Sequence, residues 1–225
     1  KPAQRSFLLS EKSIELLREL RALDRTIRNE PAFSNEGILD QERPKTAKSE
    51  ETLDTSITLD YEKKHWGVER ICLDGIQNHL PEDSKGSRVW IRCFVANAWV
   101  SLEEAMLHPR EIQAVRFVDD GVGFDVRNLT LLHSLKTQEE KSAGQFGEGM
   151  KLVAAAALRE GLDMELESQT WSAKPVAKTI SINNHRTGKT AQVEQLAFHA
   201  LEVDGEAMVG SRTTFWKPTP AFLEE

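Results

Sequence analysis

Leu73-Asp74-Gly75-Ile76-Gln77-Asn78, then Asp119-Asp120-Gly121-Val122-Gly123, then Gly144-Gln145-Phe146-Gly147-Glu148-Gly149: these three stretches, in this order, decide the reading of the chain. Asp74 and Asn78 stand four residues apart within a helical pattern, so their side chains lie one above the other on a single face. The surrounding periodicity predicts a helix from residue 60 or 61 to 79, with Trp66, Leu73, Ile76 and Leu80 on its buried side. Taken alone, the Asp/Asn pair also fits an ordinary solvated helix edge. The second stretch follows a β-branched run at 114–118 that reads as a strand. A carboxylate at a strand end, with glycines two and four positions on, sets a fixed acceptor beneath a flat ligand and lets the backbone approach it closely. A tight turn is the plainer reading of the same residues.

The third stretch precedes an evident helix at 150–158, rich in alanine and expected to stop at Gly161. Free N–H groups at a helix start, with glycine torsions before it, make an anion cradle suited to phosphates. The spacing is G-x-x-G-x-G and not the G-x-G-x-x-G of dinucleotide sites, and the alanines predict close packing of this helix on a sheet. Gly188-Lys189-Thr190 looks like the end of a P-loop, but that motif needs a glycine five residues before Gly188, where Asn183 stands. It reads as a hairpin turn. Together the three stretches describe a site for a magnesium-bound nucleotide.

Around them, 225 residues with 39% hydrophobic and 29% charged side chains suffice for one substantial core with an appended arm. We expect residues 1–55 to form an amino-terminal helix and polar strap, and residues 56–225 to form the nucleotide-binding domain of a longer protein. The helix spans 11–28, with Ser10 as its cap and a stripe of Leu16, Leu20, Leu23 and Ile27 that either packs on its own domain or pairs with another subunit. Residues 29–54, with Pro31, Gly37 and Pro44 among many charges, read as a loop or mobile strap. Further strands are expected at 56–59, 88–95, 164–168, 176–182, 197–203 and 213–216, with a short helix at 102–107. This order predicts an α+β fold, a two-layer sandwich in which a mixed, mainly antiparallel sheet carries helices on one face.

The net charge of −7 argues against non-specific nucleic-acid binding, though a local basic patch would be compatible with it. Cys72 and Cys93 read as reduced core thiols. No apolar run reaches the roughly 18 residues of a membrane span and the first residues carry no signal-peptide pattern, so a cytoplasmic protein is expected. The six histidines show no metal spacing and read as packing or surface residues.

With all three stretches in place, the sequence over residues 59–218 resembles the GHKL ATPases, the group of gyrase B, the large heat-shock chaperones, sensor histidine kinases and MutL, in motif style closest to MORC-like and chaperone-like members. Asp74 to Asn78 resembles the family's first box, Asp119 to Gly123 its D-x-G-x-G, and Gly144 to Lys151 its second glycine box. Ser134-Leu135-Lys136 resembles the S-x-K of the MORC-like branch, and Gly210-Ser211-Arg212-Thr213-Thr214-Phe215 the closing strand. The first 55 residues match nothing in it.

The resemblance implies the Bergerat ATP-binding fold, with ATP and Mg²⁺ between helices and sheet. It gives Asn78 a magnesium contact through its side-chain oxygen, Asp119 the adenine amine, and Ser211 or Thr213 the rest of the base, directly or through water. Gly121 and Gly123 would lie close to the base; Gly144, Gln145, Phe146, Gly147, Glu148, Gly149 and Lys151 would surround the phosphates. Lys136 would reach the γ-phosphate from a lid at 129–145. Hydrolysing members usually carry glutamate as general base where this chain has Asp74, one methylene shorter, which implies slow hydrolysis. The resulting expectation is a slow Mg-ATPase whose lid closure is coupled to dimerisation or to another domain. The alternatives are an ATP-sensing interaction module with little turnover, and a protein kinase, against which the amino-terminal helix contains no histidine.

Overall fold

The computed structural model describes residues 46–80, 88–131 and 148–225, with Asp40 and Glu42. The amino-terminal helix, the lid with Lys136, and Gly144, Gln145, Phe146 and Gly147 therefore lie outside the described residues. Eight strands form one sheet: β1 (Ala47–Thr58), β2 (Val89–Val95), β3 (Ala98–Ser101), β4 (Ala114–Asp119), β5 (Asp163–Gln169), β6 (Trp171–Asn184), β7 (Lys189–Val203) and β8 (Met208–Trp216). Their order is β1-β7-β6-β5-β8-β4-β2-β3. Every described pairing is antiparallel, so the mixed sheet expected from sequence is corrected to an antiparallel one. The physical reason is that neighbours are joined by tight turns or inserted in the opposite direction, and parallel neighbours would need long crossovers.

Among the described residues four α-helices accompany the sheet: α1 (Val68–Gln77), α2 (Leu102–Ala105), α3 (Gly149–Arg159) and α4 (Pro220–Glu224). α1 meets the sheet where Gly75 lies against the Phe117 ring, and α4 does so through Phe222 against Phe215, so both occupy the face that carries Phe117 and Phe215. α3 lies beside α1, and Leu152 to Ala157 are all buried. A helix buried on nearly all sides reads as apolar all round, and its alanines let it sit close to strands. It ends in a Schellman turn: Leu162 N–H donates to Ala157 O and Gly161 N–H to Leu158 O.

Three local expectations change. Residues 47–54 are strand and not strap: β1 pairs along β7 over that stretch, so pairing outweighs a polar composition. The helix expected from residue 60 begins at Val68, because 59–65 are turns with Glu62 at φ 53° and Gly67 supplies no side-chain cap. Arg159 holds this connection by donating to the carbonyls of Leu59 (2.7 Å) and Trp66 (2.9 Å). On α1 the fully buried residue is Ile71, while Leu73 is half-buried and Leu80 is exposed. The Gly188 hairpin turn is present, between β6 and β7.

The opposite face of the sheet is polar yet buried. Arg116 stacks 3.8 Å over the Trp99 ring and donates to Thr214 Oγ1 and to Glu42. Arg92 binds Asp40, and Trp216 Nε1–H donates to Glu165. Burial raises the pKa of Glu167, against the pull of Arg212 and Arg116. Buried charges of this kind survive only when partnered, and the carboxylates of Asp40 and Glu42 supply that here. Both cysteines are free, with burial pushing Cys72 up to about 12 and Cys93 up to about 11. No described helix is long and apolar enough to cross a membrane.

Candidate nucleotide site

The central strands bring the predicted residues together. β8 inserts between β4 and β5, with Phe117 opposite Thr213 and Ser168 opposite Ser211, so Asp119 at the end of β4 reaches Ser211 across the sheet. Ser211 Oγ–H donates to Asp119 Oδ2 at 2.5 Å. Asp119 Oδ1 accepts from Gly121 N–H at 2.9 Å, so the tight turn read from sequence is present and the carboxylate itself clasps it. Gly210 sits at φ +71°, and a Cβ there would collide with the Asp119 carbonyl; a Cβ on Gly123, at φ +69°, would stand 2.5 Å from Ser168 Oγ and 2.8 Å from Gly210 O. These two glycines are required by backbone approach.

His79, one residue beyond Asn78, completes this cluster, where the sequence alone reads it as a packing or surface residue. Its Nδ1 lies 2.6 Å from Asp119 Oδ2 and its Nε2 2.8 Å from Thr213 Oγ1. A carboxylate only accepts, so Nδ1 carries the ring proton. Asp119 is buried, which pushes its carboxyl up, but hydrogen bonds from His79, Ser211 and Gly121 and the electrostatic influence of His79 outweigh this and hold it below the usual carboxylate range. The sequence signal that could have found His79 is its place directly after the proposed magnesium ligand, at the turn where α1 ends.

The Thr213–His79–Asp119 chain has the connectivity of a nucleophile, base and orienting acid. Thr213 is 0% exposed, however, and no substrate carbonyl can approach its hydroxyl. It lies behind His79, where it fixes the ring.

Asn78, at the C-terminal end of α1, points at the start of α3: a Cβ on Gly149 would stand 3.1 Å from Asn78 Oδ1. The buried Asn78 Nδ2 has no hydrogen-bond partner among the described residues. An orphaned amide beside a helix N-terminus and a glycine that leaves room fits an oxygen-rich ligand. Glu148 stands at the N-cap of α3 without a side-chain cap bond. The Lys151 amine donates to the carbonyls of Asn128 (3.2 Å) and Leu131, and burial pushes it down to about 8.

Asp74 is buried, which corrects the solvated-edge alternative. Burial raises its pKa and the charge of Arg70 lowers it, with a net rise. Arg70 donates to Oδ1 at 3.2 Å, and Oδ2 lies 2.8 Å from Arg70 Nε without hydrogen-bond alignment. Glu69, the other acid on this helix, is exposed.

Among the described residues no three His, Cys, Asp or Glu side chains converge as a metal cage. In comparisons with known proteins, no family model, no curated protein and no solved structure matches this chain.

Proposed function

We propose that this protein binds ATP with magnesium and hydrolyses it slowly, as a GHKL-type ATPase with a Bergerat fold whose lid closure changes contacts with a second subunit or domain. One observation carries the reading: Asn78 faces Gly149 while its neighbour His79 bonds Asp119, so the ends of the first two stretches and the last residue of the third lie close together. They come from a helix end, a strand end and a helix start separated by tens of residues, and packing alone does not require an acid, an amide and a glycine to converge. The antiparallel sheet with helices on the Phe117 face supports the same fold.

In this reading Asp119 receives the exocyclic amine of the base, and Gly123 and Gly210 keep the acidic turn pressed against β8. The N–H groups at the start of α3 face the phosphates, where the helix dipole favours negative charge. Asn78 Oδ1 would hold the magnesium, a hard cation that keeps few protein ligands. When bound, the metal would neutralise phosphate charge and orient the phosphates. Asp74 orients and deprotonates the attacking water, and its raised pKa brings it nearer the working range of a general base.

The test is the magnesium dependence of ATP binding. Wild type is expected to bind ATP at least about tenfold more tightly with magnesium than with EDTA, and Asn78→Ala to bring the two within about threefold. Equal magnesium dependence in both proteins would remove Asn78 from the metal site.

A further inference from the structure

We infer that His79 is the specificity-determining residue of the base pocket, holding Asp119 as an acceptor-only carboxylate so that the pocket selects a purine with an amine at its 6-position. The inference rests on the nucleotide reading above and goes beyond it, because the ATPase resemblance assigns nothing to this position.

The argument is a count of hydrogen-bond positions. An ionised carboxylate offers about four lone-pair directions. Oδ2 of Asp119 takes the Nδ1–H of His79 and the hydroxyl of Ser211, and Oδ1 takes the N–H of Gly121. One position remains, on Oδ1, and it accepts a single donor. The 6-amine of adenine supplies that donor. A 6-oxo purine presents a carbonyl oxygen instead, acceptor against acceptor, in a place with little water to intervene: His79 is 3% exposed and Asp119 7%.

His79 keeps this pattern in force. Its proton occupies Oδ2 and, with the Ser211 hydroxyl, holds the carboxylate in the orientation that leaves Oδ1 toward the base. Without the ring, Oδ2 keeps only the Ser211 hydroxyl and the carboxylate is free to turn, so the open position on Oδ1 is no longer fixed and discrimination between the two purines fades. Thr213 belongs to the same device, since its buried hydroxyl at 2.8 Å fixes the far nitrogen and hence the plane of the ring. Ser211 Oγ lies 3.2 Å from Nδ1 and closes the remaining side. A purely structural His79 that closes the end of α1 would stabilise the fold without favouring either base.

The experiment compares dissociation constants of ATP and inosine triphosphate for the full chain as wild type, His79→Phe and His79→Gln. Loss of one charge-assisted bond corresponds to about 10- to 150-fold, so wild type is expected to prefer ATP by at least about tenfold. In His79→Phe the preference is expected to fall within about threefold, and in His79→Gln, whose amide can donate to Asp119 and accept from Thr213, to stay within about threefold of wild type. An unchanged ratio in His79→Phe, with both affinities lowered alike, overturns the inference and leaves the nucleotide reading standing. Failure of wild type to bind either nucleotide overturns the nucleotide reading and this inference with it. Should His79→Phe not fold, ring-nitrogen spectra of ¹⁵N-histidine wild type decide. ATP is expected to shift the His79 signals while inosine triphosphate at the same concentration leaves them in place, and saturation with ATP that moves neither nitrogen overturns the proposal.

Discussion

Asp119→Asn is expected to lower ATP affinity by about 10- to 150-fold, the equivalent of one buried charge-assisted hydrogen bond. The structure makes this substitution harsher than its size suggests. Three donors converge on the carboxylate: His79 Nδ1–H, Ser211 O–H and Gly121 N–H. An asparagine side chain has one oxygen and one NH₂ group, so in either orientation the NH₂ faces a donor: at the Oδ1 place it removes the acceptor left for a base amine, and at the Oδ2 place it meets the His79 and Ser211 donors that fix the side chain. Calorimetric titration with ATP reads the affinity, and a thermal melt of the variant separates loss of the site from loss of the fold. Wild-type affinity in a folded variant would remove Asp119 from the base site.

The second large effect concerns turnover. Asp74→Asn is expected to reduce ATP hydrolysis by about 10²- to 10⁴-fold, the usual contribution of a general base, while leaving ATP affinity within about threefold. Asparagine preserves the volume at this buried position and keeps an oxygen for Arg70, which already donates to Oδ1. What it loses is the capacity to take a proton. Steady-state phosphate release and equilibrium binding on the same preparation check both halves. Hydrolysis at the wild-type rate would show that Asp74 is not the base, and an output that never depended on turnover would favour the ATP-sensing module.

How much of this was legible beforehand follows from which interactions are local. The i, i+4 pairing of Asp74 and Asn78, the turn after β4 and the alanine-rich α3 are written in neighbouring residues, and periodicity and turn chemistry expose them. The pairing of β1 with β7 was not legible, because residues 47–54 carry a loop-like composition and become strand only through a partner about 150 positions away. Arg116 was hidden for a related reason. Its alternation in β4 puts it on a face that composition marks as solvent, yet the Trp99 ring and the Glu42 carboxylate enclose it. His79 is the instructive omission in the site: a lone histidine after a helix carries no motif of its own, and only the fold brings Asp119, Ser211 and Thr213 around its two nitrogens.

The central claim is that these residues form an adenine nucleotide site, and the most direct test is the melting temperature of the full chain with no ligand, with Mg-ATP and with Mg-GTP. A ligand at about 100 times its dissociation constant stabilises by about 2.7 kcal/mol, which for a chain of this size corresponds to a rise of about 5 to 10 °C. The account predicts that rise with Mg-ATP and a much smaller one with Mg-GTP. No rise at saturating Mg-ATP, or an equal rise with both nucleotides, would contradict it.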